Sequence, residues 1–212
     1  MQIFHDVAEL LFPQRCLGCG ALGQELCPTC GASWTLRRYV TGKDDLIVHS
    51  AIAYSPIAGR IVLASKENGI RSADALILDA LSYSLCSFSS QVSEGISLIP
   101  IPSRSHSTRR RGRDFLREIT AELGHRENLV LKNILFHTRG IKDQSTLGAR
   151  SRFENLHCAL SAANVVGRGR RVVLVDDLVT TGATLREAAR ALRCAGFEVA
   201  GAITACVALP LR

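Results

Sequence analysis

The sequence predicts an α/β protein built on a parallel sheet, preceded by a small four-cysteine module. Three observations predict it. An apolar, β-branched run at 172–175 leads through Asp176 and Asp177 into a hydroxyl-rich turn and then a helix. A second apolar run at 96–101 is followed by a helix start at Asp114. Two Cys-x-x-Cys-Gly turns stand close together near the N-terminus. At 212 residues, 47% hydrophobic and 21% charged, the chain has room for one full domain plus an appendage. The expected division is 1–40 for the module and 45–212 for the α/β domain.

In residues 1–12, Ile3, Phe4, Val7, Leu10 and Leu11 recur at helical spacing, and Asp6 and Glu9 interrupt them. The pattern predicts an amphipathic helix, because an export signal would need a basic lead and a small-residue cleavage pattern. No stretch approaches the roughly 18 uninterrupted apolar residues of a membrane span, so no span and a cytoplasmic location are expected.

Cys16 and Cys19, then Cys27 and Cys30, are separated by the seven residues 20–26, and Gly20 and Gly31 follow the two pairs. In such a turn both sulfurs face one point, and the glycine lets backbone amides approach the thiolates. A single pair would also suit redox chemistry. Two pairs supply a closed tetrahedral shell, the signature of a structural Zn2+ site, and disulfides would call for a secretory context. A module of about 35 residues has little core, so the metal would contribute on the order of 10 kcal/mol to its folding. Cys86, Cys158, Cys194 and Cys206 stand singly in apolar or helical surroundings and are expected to be buried thiols.

The α/β domain is expected to open with a strand at 47–54 and helices at 57–65 and 72–87, broken by Lys66-Glu67-Asn68-Gly69. Ala75, Leu76, Leu78, Leu81 and Leu85 form the expected core stripe of the second helix. The strand at 96–101 ends at Pro100 and Pro102, and the helix from Asp114 carries Phe115, Ile119 and Leu123 on one face. Between them lie Arg104, Arg109, Arg110, Arg111 and Arg113, a concentration of the net charge of +7. Such a run is commonly a solvated loop. At the C-terminal edge of an open sheet it also suits phosphate or nucleic acid, because guanidinium groups chelate phosphate oxygens in pairs.

The stretch 172–184 carries the most chemistry. Val172, Val173, Leu174 and Val175 read as a strand buried on both faces, with Asp176 and Asp177 at its end. Thr180, Thr181, Gly182, Ala183 and Thr184 then lead into a helix with Leu185, Ala188, Ala189, Leu192 and Ala195 at 3.6 spacing, stopped by Gly196. Amides of 180–184, the Thr hydroxyls and the helix dipole can wrap a monophosphate, and Gly182 permits close approach. Two carboxylates do not favour that phosphate. They suit a neighbouring diol, or a divalent cation shared with a second phosphate. A ribose 5-phosphate satisfies both halves; the plain alternative is an ordinary strand-turn-helix with two surface acids at the strand end.

Residues 172–184 resemble the phosphoribosyl pyrophosphate (PRPP) motif of type I phosphoribosyltransferases. The resemblance implies that Asp176 and Asp177 hold the ribose hydroxyls during catalysis and that 180–184 bind the 5-phosphate. The chain as a whole resembles the ComF family, which joins an N-terminal zinc finger to such a domain and is associated with DNA uptake in competent bacteria. Leu11-Phe12-Pro13-Gln14-Arg15 before the first cysteine, Tyr54, Lys66, the Pro-x-Pro segment at 98–102, and Asp143-Gln144, Leu147, Arg152 and Asn155 of the mobile-loop pattern carry that likeness. It implies a pyrophosphate site at Pro102, Ser103, Arg104 and Arg111, with Mg2+ bridging. One departure is that Arg113-Asp114-Phe115 stands where the family has Phe-Asn-Gln, replacing an amide by an anion and a polar group by an apolar ring.

Two functions follow as expectations. The first is a phosphoribosyltransferase, a pentosyl glycosyltransferase that binds PRPP and Mg2+ and releases pyrophosphate. The second is a non-catalytic PRPP or nucleotide sensor that meets single-stranded DNA or a competence helicase. The sequence specifies neither the acceptor nor the oligomeric state.

Overall fold

A computed structural model of the chain describes residues 14–43, 46–89, 95–103, 108–109, 111–138, 159–163 and 165–209. The helix expected at 1–12 lies outside them, as do Arg104, Arg110, Asp143, Gln144, Leu147, Arg152, Asn155 and Cys158.

The described elements are α1 (Pro28–Ser33), β1 (Tyr39–Lys43), β2 (Leu46–Ala53), α2 (Pro56–Asn68), α3 (Arg71–Ser89), β3 (Ser97–Pro100), α4 (Phe115–Glu127), β4 (Val130–Leu131), β5 (Leu135–His137), β6 (Leu160–Ala162), β7 (Arg171–Val179), α5 (Ala183–Cys194) and β8 (Glu198–Val207). Six strands form one sheet in the order β1-β2-β8-β7-β3-β4. All its pairings are parallel except β1 with β2. Strands β5 and β6 form a separate antiparallel pair. The centre of the sheet is β7 and β8, where Val172, Val173, Leu174, Val175, Ala202 and Ile203 are fully buried, as strands covered on both faces require.

Helix α2 shows why the sequence starts and stops where it does. Ser55 Oγ accepts the Ala58 N–H at 3.1 Å, and Pro56 occupies the first turn, where no amide is needed. At the other end Gly69 has φ 63°, and its N–H bonds back to Ser65 O at 3.1 Å while Ile70 N–H reaches Ala64 O at 3.2 Å. The helix therefore runs through Lys66, Glu67 and Asn68, and Gly69 alone breaks it, which corrects the expected stop at 65. In α3 the buried face is Ala73, Ile77, Ala80, Leu81, Leu85 and Phe88; Ala75 is exposed, and Leu76 and Leu78 are only partly covered. Leu81 and Leu85 lie on the core face as expected, whereas Ala75 and Leu78 fall on the outward face that Asp74 and Asp79 bound. Helix α4 follows Asp114 and buries Phe115, Ile119 and Leu123 as expected.

Two further expectations are corrected. Strand β7 continues through both aspartates to Val179, because Asp176 pairs with Thr204, Leu178 with Cys206 and Val179 with Val207 of β8. Ladder pairing to a long neighbour outweighs the poor strand propensity of aspartate. Of the single cysteines, Cys206 is buried, whereas Cys86 and Cys194 are exposed on α3 and α5. Burial, followed by the nearby Asp177 charge, pushes the Cys206 thiol up to about 12.

Trp34 belongs to the same buried cluster as Ile52, Ile61 and Phe88, so the segment leaving the cysteines is packed into the sheet domain's core. His49 of β2 is also fully buried, edge-on to Phe88 with ring centroids 5.3 Å apart. Neither ring nitrogen has a hydrogen-bond partner among the described residues. Burial, then the charge of Arg38, lowers its pKa below the ordinary value. The neutral ring's contribution is therefore full above the unfolded-state pKa of roughly 6.5 and is lost as pH falls through it, because the unfolded chain accepts a proton that the folded chain refuses. We expect the wild-type Tm to drop more between about pH 7.5 and pH 5.5 than that of His49→Leu in parallel calorimetric scans. Equal drops would remove His49 as a source of acid sensitivity.

Candidate functional site

The C-terminal edge of the sheet brings two loops together. Strand β3 runs beside β7 as far as Pro100 opposite Val175, and Ile101 N–H donates to Val175 O at 2.9 Å. Pro102 and Ser103 follow directly and are half-buried, and Pro102 O is 3.0 Å from His137 Nε2. They thus leave the sheet next to Asp176. At this end of β7 the carboxyl groups of Asp176 and Asp177 come within hydrogen-bonding reach of each other. Asp177 is buried, and its N–H is 2.9 Å from Asp176 Oδ1.

Lys66, from the last turn of α2, lies with Nζ 2.5 Å from Asp177 Oδ2. Burial works against charge on both partners, but their mutual attraction outweighs it, raising the Lys66 pKa and lowering that of Asp177. Asp176 goes the other way. Burial first, then repulsion from Asp177, raises its pKa well above the usual carboxylate range. One acid of the pair is thus held ionised by lysine, while burial and its neighbour's charge make ionisation of the other harder.

Beyond β7, Thr180 is exposed and Thr181 to Thr184 are half-buried. Gly182 has φ 70°, a left-handed turn that opens α5, and Thr181 Oγ1 accepts the Ala183 N–H at 3.3 Å. Like any helix start, the first turn of α5 carries amides without intrahelical partners, a setting that favours an anion. Arg186 lies beside it: a Cβ at Gly182 would come within 3.2 Å of Arg186 Nη1. Sequence reasoning passed over Arg186, although its position four residues after the turn glycine places it over the same helical turn.

The basic run separates into individuals. Arg109 is exposed. Arg111 Nη2 is 2.6 Å from Glu67 Oε1, with the arginine side chain only 10% exposed. Arg113 is bound at 3.0 Å to Asp74 Oδ2 and at 2.9 Å to Glu118 Oε2, and it lies 5.7 Å over the Phe115 ring. The Arg113-Asp114-Phe115 departure therefore forms an ionic and cation–π clamp of α3 on α4, with Asp114 at the helix start.

At the N-terminal end, the sulfurs of Cys16, Cys19, Cys27 and Cys30 lie within 4.8 Å of one another. Cys19 Sγ and Cys27 Sγ are 3.7 Å apart, close to the roughly 3.8 Å edge of a tetrahedron with 2.3 Å metal–sulfur bonds. Cys27 N–H donates to Cys16 Sγ at 3.3 Å, and such amide donors, with that of Cys19, bring the Cys16 thiol down to about 6. Burial and the neighbouring thiols raise Cys30 to about 12. The cluster is a group able to hold a metal ion, and its donor set suits a soft, tetrahedral one. It is seated directly on α2: Arg60 Nη1 donates to Gly18 O at 2.9 Å, and a Cβ at Gly18 would lie 2.6 Å from Cys30 Sγ and 2.9 Å from Ile57 Cγ2.

A family model described as phosphoribosyl transferase domain matches residues 109–209, the segment that contains the aspartates and the turn after them. The chain is 35% identical to Competence protein F of Haemophilus influenzae over 107 residues, 48% of this chain and 46% of that protein. It is 61% identical to an orotate phosphoribosyltransferase of Nocardioides sp. over 31 residues, 15% of this chain and 17% of that enzyme. The matches thus span less than half the length of these curated relatives. Among solved structures, adenine phosphoribosyltransferase of Thermoanaerobacter pseudethanolicus overlaps 82% of this chain and 86% of its own at 15% identity and TM-score 0.42. That of Saccharomyces cerevisiae overlaps 84% and 87% at 11% identity and TM-score 0.43.

The chain is an α/β protein with a phosphoribosyl transferase domain and a four-cysteine cluster at its N-terminal end. Over 107 of its residues it is a homologue of Competence protein F. Among the described residues, no helix is long and apolar enough to cross a membrane.

Because Lys66 neutralises Asp177, its truncation should leave a buried carboxylate beside a second acid. We expect Lys66→Met to lower stability by on the order of 3 kcal/mol near neutral pH. In urea titrations the deficit should shrink toward about pH 5, as the carboxyl takes up a proton. A deficit of equal size at both pH values would contradict an electrostatic role.

Proposed function

We propose that this chain binds PRPP with Mg2+ at the C-terminal edge of its sheet and transfers the 5-phosphoribosyl group with release of pyrophosphate, in the setting of DNA uptake. The observation that carries the reading is the pairing of an acid couple with a left-handed Gly182 turn on one strand-to-helix connection, inside the matched domain. In this reading Asp176 and Asp177 hold the ribose 2- and 3-hydroxyls. Thr180, Thr181, Gly182, Ala183 and Thr184 surround the 5-phosphate, with Arg186 beside them. Pro102, Ser103 and Arg111 meet the pyrophosphate, and Arg104 is assigned with them from sequence alone. Mg2+ would arrive with the pyrophosphate and spread its charge as the bond to ribose C1 breaks. The protein's own part is then positioning and charge stabilisation.

The test is calorimetry of the whole chain with PRPP and Mg2+, followed by a pyrophosphate-release screen over bases and amines. We expect binding that weakens at least about tenfold when Asp176→Asn and Asp177→Asn are combined, since each acid serves one hydroxyl. Unchanged affinity would sink the assignment. Binding that survives while every acceptor fails would move the protein to the sensor reading. A single-stranded DNA arm, run at two salt concentrations, tests a direct role in DNA handling, because contacts to phosphate weaken with salt.

We further assign Zn2+ to Cys16, Cys19, Cys27 and Cys30 as a structural ion, keep 1–40 and 45–212 as the two functional units, and place the protein in the cytoplasm. Elemental analysis should give about one Zn2+ per chain, and its removal by chelator should lower the Tm. A stoichiometry near zero in protein purified without chelator would overturn the metal assignment.

A further inference from the structure

We propose that Glu67 is an internal competitor for the ligand's pyrophosphate: its carboxylate holds the Arg111 guanidinium, and an anionic ligand must displace it to bind there. The inference rests on the phosphoribosyl reading above, in which Arg111 meets the pyrophosphate.

Three observations converge on it. Glu67 Oε1 is 2.6 Å from Arg111 Nη2, and the arginine side chain is nine-tenths buried. Arg111 Nε is buried with no hydrogen-bond partner among the described residues, so the guanidinium keeps donor capacity beyond the one contact to Glu67. Glu67 directly follows Lys66 in the last turn of α2, and Lys66 is tied to Asp177. A single helical turn therefore delivers a cation to the diol acid and an anion to the arginine. Each opposes the charge that the proposed ligand would have to meet. Arg111 and Lys66 also lie within electrostatic reach of one another, which puts both ion pairs in one field.

A guanidinium fork fits carboxylate and phosphate oxygens alike. A carboxylate tethered on the adjacent helix acts at high effective concentration, so it keeps off anions that bind the arginine only weakly. Pyrophosphate brings several charged oxygens and can exchange with it. Ribose 5-phosphate carries its one phosphate to the Gly182 turn and leaves the Arg111–Glu67 pair intact. Removing the carboxylate charge should thus strengthen binding of pyrophosphate-bearing ligands and leave ribose 5-phosphate unaffected. A glutamate that merely positions the arginine would predict the opposite, a loss.

The experiment is calorimetry of wild type and Glu67→Gln, each with Mg2+, against inorganic pyrophosphate, PRPP and ribose 5-phosphate. We expect Glu67→Gln to bind pyrophosphate and PRPP about five- to tenfold more tightly, with ribose 5-phosphate within about twofold of wild type. Adding Arg111→Gln to the Glu67→Gln variant should abolish the gain. Unchanged or weaker pyrophosphate binding in Glu67→Gln would overturn the proposal. Should Glu67→Gln fail to fold, Glu67→Asp, one methylene shorter, must show a smaller gain in the same direction, and no gain there is equally fatal. Wild type that binds neither PRPP nor ribose 5-phosphate would instead refute the phosphoribosyl reading, and the inorganic pyrophosphate arm would still decide the role of Glu67.

Discussion

Two neighbouring carboxylates on a buried strand repel each other and lose hydration, and the rest of the site is arranged around relieving that conflict. Asp177 is relieved by an ammonium group 2.5 Å away, and Asp176 by keeping its proton more tightly. The lysine reaches Asp177 from the last turn of α2, which continues past Ser65 to Asn68 before Gly69 ends it. Gly69 then turns the chain into α3, whose Asp74 anchors Arg113. Helix length, helix stop and the clamp between α3 and α4 are all tied to one ion pair.

The other end of α2 is held just as specifically. Ile57 and Arg60 meet the Gly18 turn, where the glycine leaves no room for a side chain beside Cys30. One helix therefore touches the cysteine cluster with its first turns and the acid couple with its last. The turn at Gly182 is supported differently, by the opening of α5, whose Leu185, Ala188, Ala189 and Leu192 are packed in the core. The two halves of the proposed ribose-phosphate site thus rest on independent elements.

Much of this was legible in the sequence because it is local. The valine run, the acids, the threonine-glycine turn and the amphipathic α5 occupy one continuous stretch, and the cysteine spacing specifies its own geometry. The tertiary partners were not legible. Lys66 and Asp177 are far apart in the chain, and nothing local distinguishes Lys66 from a residue of the turn in which it was expected. Nothing beside Arg111 in the sequence signals its carboxylate partner, because its neighbours there are cations and Glu67 comes from α2. The length of β7 was underestimated for the same reason, since its last residues owe their strand conformation to β8 rather than to their own propensities.

The inclusion of both aspartates in β7 has a thermodynamic consequence for recognition. Their main chain is already committed to the ladder with β8, so gripping a sugar diol there asks almost no new backbone ordering. In the proposed complex, backbone ordering around the 5-phosphate would fall on the short stretch after Val179, which has left the ladder. In the proposed reading the sugar half of the site is preorganised by the ladder, and the phosphate half lies just outside it.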